Sequence, residues 1–224
     1  MFINIRLFKQ KKMKKEDLPN KIAIFPLSNF IIFPKTSVPL NIFEPRYINM
    51  IDDAMKGNRM IGMIQPKSFN QKTPDLYKIG CVGKITSFNE TEDGRYLIVL
   101  AGVSRFKITE ELKTQKLYRL CKVDFKDFSY DLEEKDEEIK FSDLKFIFKN
   151  LKSLFAKEGY KVNWKELEKQ NLDQTINTLA MASPFSVEEK QILLETIDLY
   201  ERKKKLELIL STYNFNNFDN KTIQ

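Results

Sequence analysis

The chain has 224 residues, 42% of them hydrophobic and 31% charged, which supplies a real core and excludes disorder as a description of the whole. It contains no histidine and only Cys81 and Cys121, outside any C-x-x-C pair, which excludes His-dependent nucleophilic sites, His-ligated metals, zinc ribbons and thioredoxin-like redox centres. The formal charge is +7, of which +4 falls in residues 1–20, where Arg6, Lys9, Lys11, Lys12, Lys14 and Lys15 outweigh Glu16 and Asp17. The rest is nearly balanced, and its lysines far outnumber its arginines, so the basic folded face of a nucleic-acid binder is only weakly signalled.

Residues 1–18 read as a flexible basic arm, with Met13 a second candidate start. The apolar run at Met1–Phe8 is interrupted by Asn4 and Arg6 and precedes the lysines, the wrong order for a secretory signal. No run of 18 apolar residues offers a membrane span. A cytoplasmic location is expected.

From residue 19 to about 130 the pattern is that of strands. Ile22–Phe25 and Phe30–Phe33 are short β-rich runs closed by Pro26 and Pro34. Ser37–Phe43 is a third, interrupted by Pro39. The period then changes: Pro45 suits a first helical position, and Tyr47, Ile48, Ile51, Ala54 and Met55 recur at helical spacing until Gly57 stops the helix. Strand character returns at Met60–Ile64. Lys78–Glu90 and Arg95–Ile108 flank a hairpin turn at Asp93-Gly94. Tyr96–Ala101 is apolar on both faces, as in a central strand. In Leu117–Phe128, Cys121, Val123 and Phe125 alternate with Lys122, Asp124 and Lys126, which makes Cys121 a core residue.

An acidic link at 131–138 leads to helical patterning over 136–213. Leu144, Ile147, Phe148, Leu151, Leu154 and Phe155 form one stripe, closed by Gly159. Asn163 with Glu166, and Ser186 with Glu189, are capping boxes. The first opens a helix expected to run to Ala182, ahead of Pro184. The second opens one carrying Ile192, Leu193, Ile197, Tyr200, Leu206, Ile209 and Leu210. Residues 214–224, rich in Asn, read as a disordered tail.

Catalytic motifs fail in turn. Gly57 and Gly62 have P-loop spacing, but Met63 and Ile64 stand where Lys and a hydroxyl are needed. Gly80 and Gly83 lie inside a strand, where they relieve crowding or make a bulge. Acidic clusters at Glu90–Asp93 and Glu133–Glu138 lack the spacing of a calcium loop. No serine occupies a Gly-rich strand-to-helix turn. No cofactor and no metal is expected.

One constellation stands out: Ile-Phe-Pro-Leu27, Pro39-Leu-Asn-Ile-Phe-Glu-Pro-Arg-Tyr47, Gly62-Met-Ile-Gln-Pro66, Gly102-Val-Ser-Arg-Phe106 and Leu179-Ala-Met-Ala-Ser-Pro-Phe-Ser-Val-Glu-Glu-Lys190. Over residues 20–212 the chain resembles the N-terminal, substrate-binding domain of Lon-type ATP-dependent proteases. The resemblance implies an α+β fold: a PUA-like β-barrel lobe (19–130) with one inserted helix, followed by a helical bundle. It further implies a non-catalytic module that recognises unfolded or specific polypeptides for a protease or chaperone, because the chain ends at Gln224 without a Walker A motif or a Ser-Lys peptidase segment. RNA binding through the PUA-like fold and the basic arm is the alternative.

Phe43, Glu44, Arg46, Tyr47, Met60, Met63 and Arg105 are the candidate substrate contacts. Phe43 and Tyr47 are expected to clamp the helix to the barrel wall, and Arg46 to pair with Glu44 or another carboxylate. A buried Arg105 requires an acidic partner, for which Glu44 is the candidate. Met60 and Met63, with Met50 and Met55, would offer an adaptable apolar surface.

Overall fold

The structure, a computed structural model, describes residues 13–28, 30–68, 73–133 and 140–219, with the side chains of 214–219 outside that description. The chain divides into two compact units between residues 134 and 135.

The first unit is a sheet closed on itself. Its strands are β1 (Lys21–Pro26), β2 (Ser37–Ile42), β3 (Met60–Ile64), β4 (Ile79–Glu90), β5 (Tyr96–Leu112) and β6 (Arg119–Asp124), with helix α1 (Pro45–Met55) between β2 and β3. The order is β2-β5-β4-β3-β1-β6, and a further β5–β6 pairing closes the ring. Only β1 and β3 run parallel. Closure depends on the length of β5. Its first half lies between β2 and β4, and its last residues, from Lys107, pair with β6. Register shifts between Val82 and Gly83, between Ile85 and Ser87, and between Ile108 and Glu110 let the two long strands bend.

Gly83 meets both expectations for a strand glycine. It adjoins a bulge, and a Cβ there would stand 2.5 Å from Leu100 Cγ. The barrel interior is filled by Ile22, Ile24, Val82, Val103, Phe106, Cys121, Val123 and Phe125. The alternation at Cys121–Phe125 appears as expected, in a shorter strand, and the following residues form a 3₁₀ turn over Lys126–Leu132 that buries Phe128. The Asp93-Gly94 turn is present too, with Gly94 at φ +76° and Thr91 N–H donating to Arg95 O.

Two expectations need correction in this unit. Phe30–Phe33 is not a strand. Ile31, Ile32 and Phe33 are buried, but their backbone is held by a local turn: Thr36 Oγ1 donates to Phe33 O and accepts from Phe33 N–H, and Lys35 has φ +63°. That turn docks on β5, with Lys35 N–H donating to Gly102 O and Gly102 N–H to Thr36 O. Apolar content bought burial here without a ladder. Helix α1 stops just before Gly57 as expected, with Lys56 as its C-cap, and the left-handed residue beyond it is Arg59 (φ +61°). Finally, the basic arm is anchored at its end. Lys15–Asp17 form a 3₁₀ turn, and Met13 and Leu18 pack on the barrel core. Residues 1–12 lie outside the described residues.

The second unit is helical: α2 (Lys145–Lys157), α3 (Trp164–Leu167), α4 (Leu172–Ala182), α5 (Val187–Glu195) and α6 (Leu199–Asp219), preceded by a 3₁₀ turn at Phe141–Leu144. Gly159 (φ +74°) follows α2, and the Asn163 and Ser186 caps accept from Glu166 N–H and Glu189 N–H. Each of the two long helices expected downstream is instead two helices. The chain turns at 168–171, which buries both Leu167 and Leu172, while Leu167 O accepts from Gln170 N–H and from the Thr175 hydroxyl. It turns again at Thr196, in extended conformation. Of the residues expected on one stripe, Leu193, Leu206 and Leu210 are buried while Ile192, Ile197 and Tyr200 are exposed. Residues 214–219, expected to be disordered, continue α6; 220–224 lie outside the described residues.

Candidate functional site

The strand-to-helix corner at Phe43–Tyr47 is built from local rules. Glu44, in extended conformation, is the N-cap of α1, and Pro45 occupies the first helical position, where its missing N–H costs nothing. The Glu44 carboxylate makes no cap hydrogen bond and turns to Arg46, whose Nε donates to Oε2 at 2.9 Å and whose second nitrogen lies 2.8 Å away. The Arg46 guanidinium also stands 4.5 Å from the centroid of the Tyr47 ring. Tyr47 is buried, edge-on to Phe25 of β1 at 4.5 Å, and burial pushes its phenol above the ordinary value.

Two carboxylates on the opposite half of α1 complete the attachment. Tyr96 of β5 donates to Asp52 Oδ1 at 2.9 Å, and Tyr118 donates to Asp53 Oδ2 at 2.8 Å, the oxygen that Lys116 also reaches at 2.8 Å. These bonds hold the Asp53 carboxyl below its usual range, chiefly through Lys116 and then Tyr118. Sequence reasoning missed both tethers. Their only advance signal was an Asp pair inside an amphipathic helix.

The seven candidate residues separate into three groups. Glu44, Arg46 and Tyr47 come together at the corner as described. Phe43 does not clamp the helix: it is 65% exposed, one residue beyond the Ile42–Tyr96 register pair. At this same end of the sheet, Leu97 is exposed and Phe88 touches the Tyr96 ring at 4.8 Å while remaining partly exposed itself. Met60 and Met63 are core residues, because every residue of β3 is buried, and neither offers surface to a ligand. Arg105 is buried as well, and its partner is Asp131, not Glu44.

The Cys121 thiol is pushed up to about 11, first by burial and then by Glu111, so it stays protonated near neutral pH. Among the described residues no group of three or more Cys, Asp or Glu side chains could hold a metal ion, and no helix is long and apolar enough to cross a membrane. What the corner presents is an exposed aromatic side chain and an exposed ion pair on a rigid support.

Comparison with known proteins shows the family. The family model for the ATP-dependent protease La (LON) substrate-binding domain matches residues 21–212. The chain is 28% identical over 207 residues to a Lon protease of Dictyoglomus thermophilum, an alignment covering 88% of this chain and 25% of that protein. It is 28% identical over 197 residues to a Lon protease of Desulfosudis oleivorans, covering 85% of this chain and 24% of that protein. The chain thus spans about a quarter of the length of these curated relatives. The fold is similar to the crystal structure of a Lon N-terminal domain protein from Xanthomonas campestris, with TM-score 0.59 and 19% identity over 85% of this chain and 97% of that one. It is also similar to the N-terminal domain of a Mycobacterium avium complex Lon protease, with TM-score 0.58 and 18% identity over 85% of this chain and 98% of that one.

Proposed function

Because the chain belongs to the ATP-dependent protease La (LON) substrate-binding domain family, we propose that it holds segments of other polypeptides without transforming them. The reading extends to presenting such segments to a protease or chaperone. The observation that carries it is the exposure of Phe43 on a corner that Pro45, the Glu44–Arg46 pair and the buried Tyr47 make rigid. A large apolar side chain held in water on a fixed backbone is suited to contact. Beside it, β2 is an edge strand, paired among the described strands only with β5. Its outer side can accept an extended chain by strand addition, with Pro39 removing one donor. Glu44 and Arg46 form a polar rim, Met60 packs in the barrel interior, and Met63 and Arg105 are buried elsewhere in the same unit.

The test is binding of the full chain to a reduced, alkylated and permanently unfolded protein, followed by anisotropy. Saturable binding weakened about tenfold by Phe43→Ala, with an unchanged unfolding midpoint, is expected. Absence of binding up to high micromolar concentration overturns the reading.

A further inference from the structure

Helix α2 carries an exposed face within the helical unit, away from its buried residues Ile147, Leu151 and Phe155. Phe141, Lys145, Phe148, Lys149, Lys152 and Glu168 line an open cavity of about 580 Å³. Lys145, Lys149 and Lys152 are exposed and stand at helical spacings of four and three residues, so they lie along one side of α2. Phe141 is exposed at the start of the groove, and Phe148 forms part of its floor. Lys152 is already engaged, 4.0 Å from Glu168 and 5.4 Å from the Trp164 ring centroid. Lys145 and Lys149 make no ion pair among the described residues. The groove therefore combines apolar side chains with two cations that make no ion pair among the described residues.

We propose that this groove binds an acidic segment of a partner polypeptide, seating an apolar side chain on Phe141 and Phe148 and pairing its carboxylates with Lys145 and Lys149. Charge complementarity selects the occupant. Two ammonium groups without an ion pair among the described residues, lining a groove with aromatic rings, favour carboxylates interleaved with apolar side chains. A nucleic-acid strand is disfavoured, since Glu168 adds a negative charge to the rim and no arginine is present for planar phosphate recognition. The proposal is independent of the barrel corner: it lies in the other unit and shares no residue with it.

Trp164 is the only tryptophan of the chain and lies 6.0 Å from Phe148, so its emission reports on this groove. The full chain is titrated with a synthetic peptide of alternating Glu and Leu, with the same peptide carrying Gln for Glu, and with a single-stranded RNA of equal length. A saturable change in Trp164 emission with the acidic peptide alone is expected. It should weaken about tenfold in the double variant Lys145→Gln, Lys149→Gln and return with arginine at both positions. Both lysines are exposed, so the variants keep their fold, checked by an unchanged far-ultraviolet spectrum. A flat titration, an equal response to the Gln peptide, insensitivity to the double variant, or tighter binding of the RNA each overturns the proposal. Failure here leaves the Phe43 corner untouched, because that site is read by a different ligand and a different variant.

Discussion

Arg105 and Asp131 form a buried ion pair that ties the middle of β5 to the 3₁₀ turn after β6. The Arg105 Nε and terminal nitrogen donate to Asp131 at 3.0 and 2.8 Å, the Arg105 backbone N–H donates to the same carboxylate at 2.8 Å, and the guanidinium lies 4.5 Å from the Phe128 ring centroid. Asp131→Ala would strand a buried guanidinium and is expected to destabilise the barrel unit by about 3–5 kcal/mol. Cys81 and Cys121 are both buried in this unit, so thiol reactivity under increasing urea measures it. Replacing both partners, Arg105→Met with Asp131→Leu, should recover most of the loss. A double variant as weak as the single would show that the pair does more than compensate its own burial.

Gly102 is the closest approach in the barrel unit. A Cβ there would lie 2.0 Å from Phe33 O, inside the contact that docks the Phe33–Thr36 turn on β5. Gly102→Ala should cost about 3 kcal/mol by forcing the turn away. At Gly94 the surroundings are open and only the positive φ resists substitution, so Gly94→Ala should cost about 1 kcal/mol. Equal midpoints for the two variants in urea unfolding would refute the steric account.

Alkaline stability should fall through the tyrosines that tether α1. Tyr96 is pushed up to about 12, first by its bond to the Asp52 carboxylate, and Tyr118 to about 12, first by burial and then by Asp53. A phenol whose folded value is raised binds its proton more tightly in the folded state. Its contribution is therefore complete below the ordinary value near 10 and is lost as pH rises from about 10 towards 12. Urea midpoints between pH 9 and 11.5 should decline, and Tyr118→Phe should flatten the decline. An identical slope in the variant would remove Tyr118 from the account.

Arg202 is buried between three helices. Its Nε donates to Leu193 O at 3.0 Å, and its two terminal nitrogens donate to Asn177 Oδ1 at 2.6 Å and Thr196 O at 3.0 Å. It thereby takes up carbonyls at the end of α5 that helix geometry leaves open. Arg202→Met should destabilise the helical unit by about 2–4 kcal/mol, and Arg202→Lys should restore little of it, since one ammonium cannot reach three directions. The transition is read by Trp164 emission. Full recovery by lysine would mean that charge, not the planar fork, matters there.

The sequence alone determined several features whose cause is local. Asp93-Gly94 made its turn because glycine takes positive φ without strain. Ser186 capped α5 by accepting from the Glu189 N–H, Pro45 began α1, and alternation placed Cys121, Val123 and Phe125 inside. The family motif was legible for the same reason, since it consists largely of prolines, glycines and apolar runs that act on their own neighbourhood. Tertiary structure alone decided the rest. Phe30–Phe33 carries a strand's composition, yet the Gly102 contact holds it as a buried turn. Arg105 announced a need for a carboxylate, but the choice of Asp131 over Glu44 was made by the path of the chain after β6. Phe43 and Tyr47 look alike in sequence, and only packing put one in solvent and the other against Phe25. Propensity, capping and turn chemistry act over a few residues; ion-pair partners, helix breaks and exposure depend on which distant segments arrive at the same place.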